Sequence, residues 1–277
     1  MSTSKTIYDA GTRSGTLLFF GGVYSNLQAL EALQQWATEN SIASENIFCT
    51  GDILGYCAQP VECIQLIKSW GIQSIAGNVE LQVRDKEADC GCDFKSGGRC
   101  DLFSRNWYSY IQSHIDEASI EWLYTLPHHI QIEYENQKIM IVHGSWFHTA
   151  EFIFASTPWQ VKQENFLATE AEIIIAGHCG LPFSDERGGK RWINPGVIGM
   201  PANDGTDRVW FGTMDRRDSG IHFQFHHLRY NNHKAYALMQ ANRLPQSYAN
   251  TLLNGIWDNC EILPPDETAR QGKEILL

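Results

Sequence analysis

Leu17-Leu18-Phe19-Phe20-Gly21-Gly22-Val23-Tyr24-Ser25-Asn26-Leu27 decides how the rest of the chain is read. Four consecutive apolar residues stop at a pair of glycines, and an Asn then opens a stretch in which Leu27, Leu30 and Leu33 fall on one helical face. A short apolar run bounded by glycine is a buried strand, and Asn at the following boundary is a good helix N-cap. The pattern repeats. Ile47 to Thr50 runs into Gly51-Asp52, Gln73 to Ala76 into Gly77-Asn78, Ile139 to Val142 into His143-Gly144, and Ile173 to Ala176 into Gly177-His178. Between them Pro60 suits the first turn of a helix packing Val61, Ile64 and Ile67, and Thr157-Pro158 opens another. Strands alternating with crossover helices predict an α/β fold.

Outward from this frame the signals change. Leu81 to Ser104 is polar, rich in Gly and Cys, and without periodicity, which predicts an insertion loop; a hairpin is expected around Asn136-Gln137. Beyond Gly177 the pattern turns to strands at Arg191 to Asn194, Val209 to Met214 and Ile221 to Leu228. Helical segments follow near Lys234 to Ala241 and Pro245 to Leu253. With 277 residues and 43% hydrophobic content, a single domain spanning 1–277 is expected, with a core over about 16–215 and a C-terminal strand and helical extension over about 216–277.

A formal net charge of −11 disfavours a nucleic-acid polymer as partner, because such binding draws on Lys and Arg neutralising phosphates. The start of the chain lacks an apolar signal-type segment, and no run approaches the roughly 20 apolar residues of a membrane span, so a cytoplasmic protein without membrane association is expected. Eight cysteines in a chain of this length read as reduced thiols, with Cys49 and Cys63 as small core residues. Cys90, Cys92 and Cys100 lack the paired spacing of a structural zinc site and read as loop thiols.

In open α/β sheets ligands collect beyond the carboxyl ends of the strands. Asp52, Asn78, His143 and His178 each stand at such an end. Singly, each has an ordinary structural role, as a loop cap or a satisfied buried imidazole. Together, one carboxylate, one amide oxygen and two imidazoles form a mixed oxygen and nitrogen set suited to Zn, Mn or Fe rather than Ca or Mg.

At these residues the sequence resembles the calcineurin-like metallophosphoesterases, including their branch of small phosphodiesterases and diadenosine tetraphosphatase-related proteins. Phe20 to Leu27 lines up with the family's Ser-Asp-x-His-Gly-Asn-Leu, Gly51-Asp52 with its second motif, and Gly77-Asn78-Val79-Glu80 with Gly-Asn-His-Asp. Val142 to Ser145 matches the fourth motif, and Gly177-His178-Cys179-Gly180 is similar to Gly-His-x-His. The resemblance, running from about Leu17 to Asp215, implies an αββα sandwich of two mixed sheets flanked by helices.

It also implies an unequal site. The family's first metal uses positions that are Gly22, Tyr24 and Gly180 here, while the ligands of the second stand as Asp52, Asn78, His143 and His178. One divalent transition metal (Zn, Mn or Fe), at full or partial occupancy, is therefore the expected cofactor. The family's catalytic His is Val79, which leaves Tyr24 and Glu80 as candidate acids, each equally readable as a hydrogen-bonding wall. Asn26 is a candidate substrate contact or a helix cap; His148 is a loop residue that could reach the site. The expectation is a phosphoesterase of reduced or altered activity on a small phosphodiester, nucleotide or phosphomonoester. The alternative is an inactive relative that binds a phosphorylated ligand, and a purely structural role leaves the quartet without a purpose.

Overall fold

The computed structural model describes residues 5–92 and 94–277. In chain order the elements are β1 (Ile7–Arg13), β2 (Leu17–Phe20), α1 (Leu27–Glu39), β3 (Ile47–Cys49), α2 (Pro60–Trp70), β4 (Gln73–Ser74), α3 (Asn78–Arg84), α4 (Arg99–His114), α5 (Glu117–Leu123), β5 (His129–Tyr134), β6 (Gln137–Ile141), α6 (Trp159–Thr169), β7 (Ile173–Ile175), β8 (Phe183–Arg187), β9 (Lys190–Asn194), β10 (Val209–Arg217), β11 (Gly220–Leu228), α7 (Asn232–Ala241), α8 (Gln246–Asn254) and α9 (Pro265–Thr268). They form two mixed sheets, one ordered β1-β5-β6-β7-β9-β8 and the other β11-β10-β2-β3-β4.

The run Leu17–Phe20 explains why there are two sheets. Side chains alternate across a strand, and all four here are fully buried, so both faces of β2 must be covered. Leu17 and Phe19 point to the facing sheet and pack in one cluster with Ile130, Ile141 and Ile175. Leu18 and Phe20 point the other way, against Leu30, Leu33 and Ile64 of α1 and α2. A third cluster joins the outer face of the six-stranded sheet to Phe166 of α6. The result is the four-layer αββα sandwich, the inter-sheet layer being rich in isoleucine with Phe19 stacked on Phe48.

Local chemistry sets the ends. Asn26 caps α1 by accepting the Ala29 N–H, and Gly71, in the left-handed region, ends α2. Two expectations need correction. The hairpin turns at Glu135-Asn136, both with positive φ, so Gln137 already belongs to β6; two left-handed residues in a row give the turn whose twist suits a hairpin. The segment from Leu81 to Ser104 is not all loop, since α3 covers its start and α4 begins at Arg99. Polar side chains hide the period that sequence reading needs: Asn78 and Glu80 are buried in α3, and about half of α4 is exposed. Among the described residues no helix is long and apolar enough to cross a membrane.

Candidate metal centre

The centre is assembled at the carboxyl ends of β3, β4, β6 and β7. Backbones approach there more closely than side chains allow: a Cβ at Gly51 would lie 2.6 Å from the Gly77 nitrogen and 2.9 Å from His143 Nδ1. Glycine at that point lets the three loops close on one another. Asp52 and His178 take left-handed backbone conformations at φ 56° and 62°, as do Tyr24 and Ser25. Such residues cost of order 1–3 kcal/mol each and persist where the surroundings over-determine them.

Glu80 is one of those surroundings. Its fully buried carboxylate accepts the N–H groups of Asp52 (2.8 Å), Leu54 (2.9 Å) and Gly77 (2.8 Å). It ties the β3 loop to the start of α3 and thereby aims the Asp52 side chain. Burial, with the charge of Asp52 beside it, pushes the Glu80 carboxyl up to about 7. Of the candidate acids, Glu80 is thus a buttress behind the site and does not line the pocket.

The four donors converge. His143 Nε2 lies 3.0 Å from Asn78 Oδ1, 3.1 Å from His178 Nδ1 and 3.3 Å from Asp52 Oδ1, and His178 Nδ1 lies 4.0 Å from Asp52 Oδ2. Ligands at 2.0–2.2 Å around a tetrahedral cation stand about 3.4 Å apart, so the spacing fits one ion. Two of the donors are oriented from behind. His143 Nδ1–H donates to the Thr50 carbonyl at 2.7 Å, which turns the Nε2 lone pair towards the centre. Asn78 Nδ2 donates to the Cys90 carbonyl (2.8 Å) and the Cys92 sulfur (3.1 Å), leaving Oδ1 facing inward. Asp52 Oδ1 is buried and makes no hydrogen bond among the described residues, with His143 Nε2 facing it at 3.3 Å.

Electrostatics agree. Burial works against charge on Asp52, but His143 more than offsets it and holds the carboxyl below its usual range. The same pairing, against the pull of burial, lifts His143 above its ordinary value. Burial and the neighbouring His143 push His178 down to about 3, leaving it a neutral imidazole. Phe152 stacks on that ring at 4.2 Å.

The other side of the centre is aromatic. A Cβ at Gly22 would meet the Tyr24 ring at 2.5 Å and Val197 at 2.6 Å, and one at Gly180 would meet the Trp257 indole at 3.3 Å. Tyr24 packs edge-on against Tyr56. Its burial, together with Asp52, raises its hydroxyl well above the usual range, so it is a neutral phenol and not a phenolate ligand. Trp257 is pinned by an Nε1–H bond to the Pro201 carbonyl at 2.7 Å. The cavity, open to solvent on one side, measures about 70 Å³.

Of the remaining candidates, Asn26 is buried away from the pocket: Oδ1 caps α1 and Nδ2 donates to the Gly199 carbonyl and the Tyr230 hydroxyl. His148 is exposed. All eight cysteines are free thiols; Cys92 and Cys100 reach the pocket wall, and Cys179 is held by Asn194 Nδ2 at 3.1 Å. Sequence reading missed Trp257, Asp258 and Asn259, which also line it. Only the Trp, flanked by Asp and Asn in a segment without periodicity, offered a signal there.

The sequence model of the calcineurin-like phosphoesterase superfamily domain matches residues 25–217. An uncharacterized protein, MJ0912, of Methanocaldococcus jannaschii is 27% identical over 250 residues, spanning 84% of this chain and 95% of its own length. The crystal structure of a metallophosphoesterase from Sphaerobacter thermophilus superposes with a TM-score of 0.67 at 23% identity, covering 88% of this chain and 100% of that one. That of the hypothetical protein PH1004 from Pyrococcus horikoshii gives 0.73 at 17% identity, with 87% and 99% covered. These two likenesses concern the fold.

Proposed function

The chain belongs to the calcineurin-like phosphoesterase superfamily, and from that premise we propose that it is a metal-dependent phosphoesterase working with one metal position, on a small phosphodiester, nucleotide or phosphomonoester. The convergence of Asp52, Asn78, His143 and His178 within one ion's coordination distance carries this reading. A divalent cation there supplies Lewis-acid polarisation of a phosphoryl oxygen and a bound water whose pKa falls to about 7.

The protein's own residues do the rest. His143 and His178 present neutral nitrogens, Asn78 an amide oxygen, and Asp52 the single carboxylate. Tyr24 and Trp257 occupy the volume beside Gly22 and Gly180, where the family's first metal would need ligands, which supports a one-metal site. The position of the family's catalytic His is the apolar Val79, and the loss of a leaving-group acid costs about 10²–10⁴-fold. Tyr24, a neutral phenol on the pocket wall, is the remaining donor.

Val79 and the aromatic filling also favour a second reading, a protein that binds a phosphorylated small molecule without efficient turnover. Elemental analysis, with assays on a generic aryl phosphodiester and monoester, separates the two. We expect one equivalent of Zn, Mn or Fe and measurable hydrolysis. One equivalent without hydrolysis leaves the binding reading, and a protein that takes up no metal overturns both.

A further inference from the structure

We propose that the pocket beside the quartet selects a singly charged phosphodiester, seating one small apolar ester group against Trp257, Tyr56 and Tyr248, and discriminates against phosphomonoester dianions and polyphosphates. The proposal rests on the metal-dependent reading of the site.

Charge is the first argument. Among the described residues lining the pocket there is no lysine or arginine. The carboxylates there are Asp52 and Asp258. Arg99 reaches Asp258 from the rim, but its guanidinium is held by both carboxylate oxygens at 2.6 and 2.7 Å. With Asn78, His143 and His178 neutral as ligands, a divalent ion and the Asp52 carboxylate sum to at most one positive charge, since the Glu80 carboxyl behind Asp52 can add only negative charge. A diester phosphate cancels it. A monoester dianion leaves a net negative charge in a buried site with no cation to pair it, and a polyphosphate leaves more.

Surface and size are the second argument. Tyr56 meets Tyr248 edge-on at 4.8 Å and lies 5.0 Å from Trp107, so the wall opposite the quartet is a continuous aromatic patch. Such a wall favours an uncharged ester group, which gains by leaving water. The cavity of about 70 Å³ is under half of the roughly 150 Å³ that encloses a benzene ring. A single ring therefore lies partly in the mouth, and a two-ring base is not enclosed.

The test is binding to the metal-loaded full chain, followed by titration calorimetry and tryptophan fluorescence. The probes are a non-hydrolysable phenyl alkylphosphonate monoanion, the phenylphosphonate dianion and inorganic pyrophosphate. The monoanion should bind at least about tenfold tighter than either of the others, as roughly 1.4 kcal/mol of unpaired charge requires. Trp257→Leu should keep metal and weaken the monoanion several-fold, and Asn259→Lys, at the rim, should narrow the gap by strengthening the dianion. Equal or tighter binding of phenylphosphonate or pyrophosphate by the unmodified protein overturns the proposal. Selective binding of the monoanion with no hydrolysis of an aryl diester defeats the enzyme reading and leaves the subsite standing. Hydrolysis of the monoester in preference to the diester does the reverse.

Discussion

The two halves of the centre lie side by side and are built on opposite principles. On the quartet side three of the four residues are held from behind: Thr50 sets the His143 tautomer, the Cys90 carbonyl sets the Asn78 amide, and Glu80 sets the Asp52 loop. On the Gly22 and Gly180 side the same backbone scaffold carries no donor, and rings occupy the volume. Glycine in a ligand position therefore does not leave a hole here. Close packing fills it with the nearest large side chain, because an unfilled cavity forfeits dispersion contacts that Tyr24 and Trp257 recover.

The largest effect should come from cutting the polar half. His143→Ala should take bound metal from one equivalent to near none, measured by elemental analysis after dialysis. Its affinity should fall by more than the roughly 10–100-fold that follows loss of an outer-shell partner. Retention of a full equivalent by this variant would break the comparison.

Converting the aromatic half is the next test. Gly22→Asp, Tyr24→His and Gly180→His combined with Trp257→Ala clear the rings while restoring donors, and a second equivalent of metal with faster diester hydrolysis is the expected outcome. Gly22→Asp alone should only destabilise, by about 1–3 kcal/mol, since its side chain overlaps Tyr24 and Val197. Denaturant unfolding reads that loss.

Removing the buttress sharpens the contrast without touching a ligand. Glu80→Ala orphans three N–H groups, so stability should drop by upward of about 2 kcal/mol and metal affinity by roughly 10–100-fold. Loss of stability with unchanged metal affinity would mean that Asp52 is aimed by something else.

A control lies outside both halves. His129 is buried, stacks on Trp146 at 4.6 Å, and has neither ring nitrogen hydrogen-bonded among the described residues. Burial pushes it down from 6.5 to about 3. The unfolded chain takes up this proton between those values and the folded chain does not, so the contribution is complete above about pH 6.5 and is lost as pH falls. By pH 4.5 the loss should be about 2–3 kcal/mol. His129→Phe should flatten that part of the stability profile while leaving metal content unchanged.

The strands that were legible are the buried ones. Ile47–Cys49 and Ile173–Ile175 are apolar throughout because both faces are covered. The edge strands Ile7–Arg13 and Phe183–Arg187 escaped, since most of their residues are exposed and no apolar alternation survives. Exposure also hid the start of α4, whereas α3 was hidden because polar Asn78 and Glu80 are among its buried residues.

The amino-acid sequence determined which residue types stand at the strand ends, and through them the fold and the four candidate ligands, because strand termination and side-chain chemistry are local properties. Only the tertiary structure decided that Glu80 and Asn26 turn inward to hold backbone, and that Trp257, far along the chain, lies over Gly180. Which atom faces the centre depends on partners distant in sequence: His143 is oriented by Thr50, and the pocket wall is closed by a C-terminal segment whose position follows from packing and not from any pattern within it.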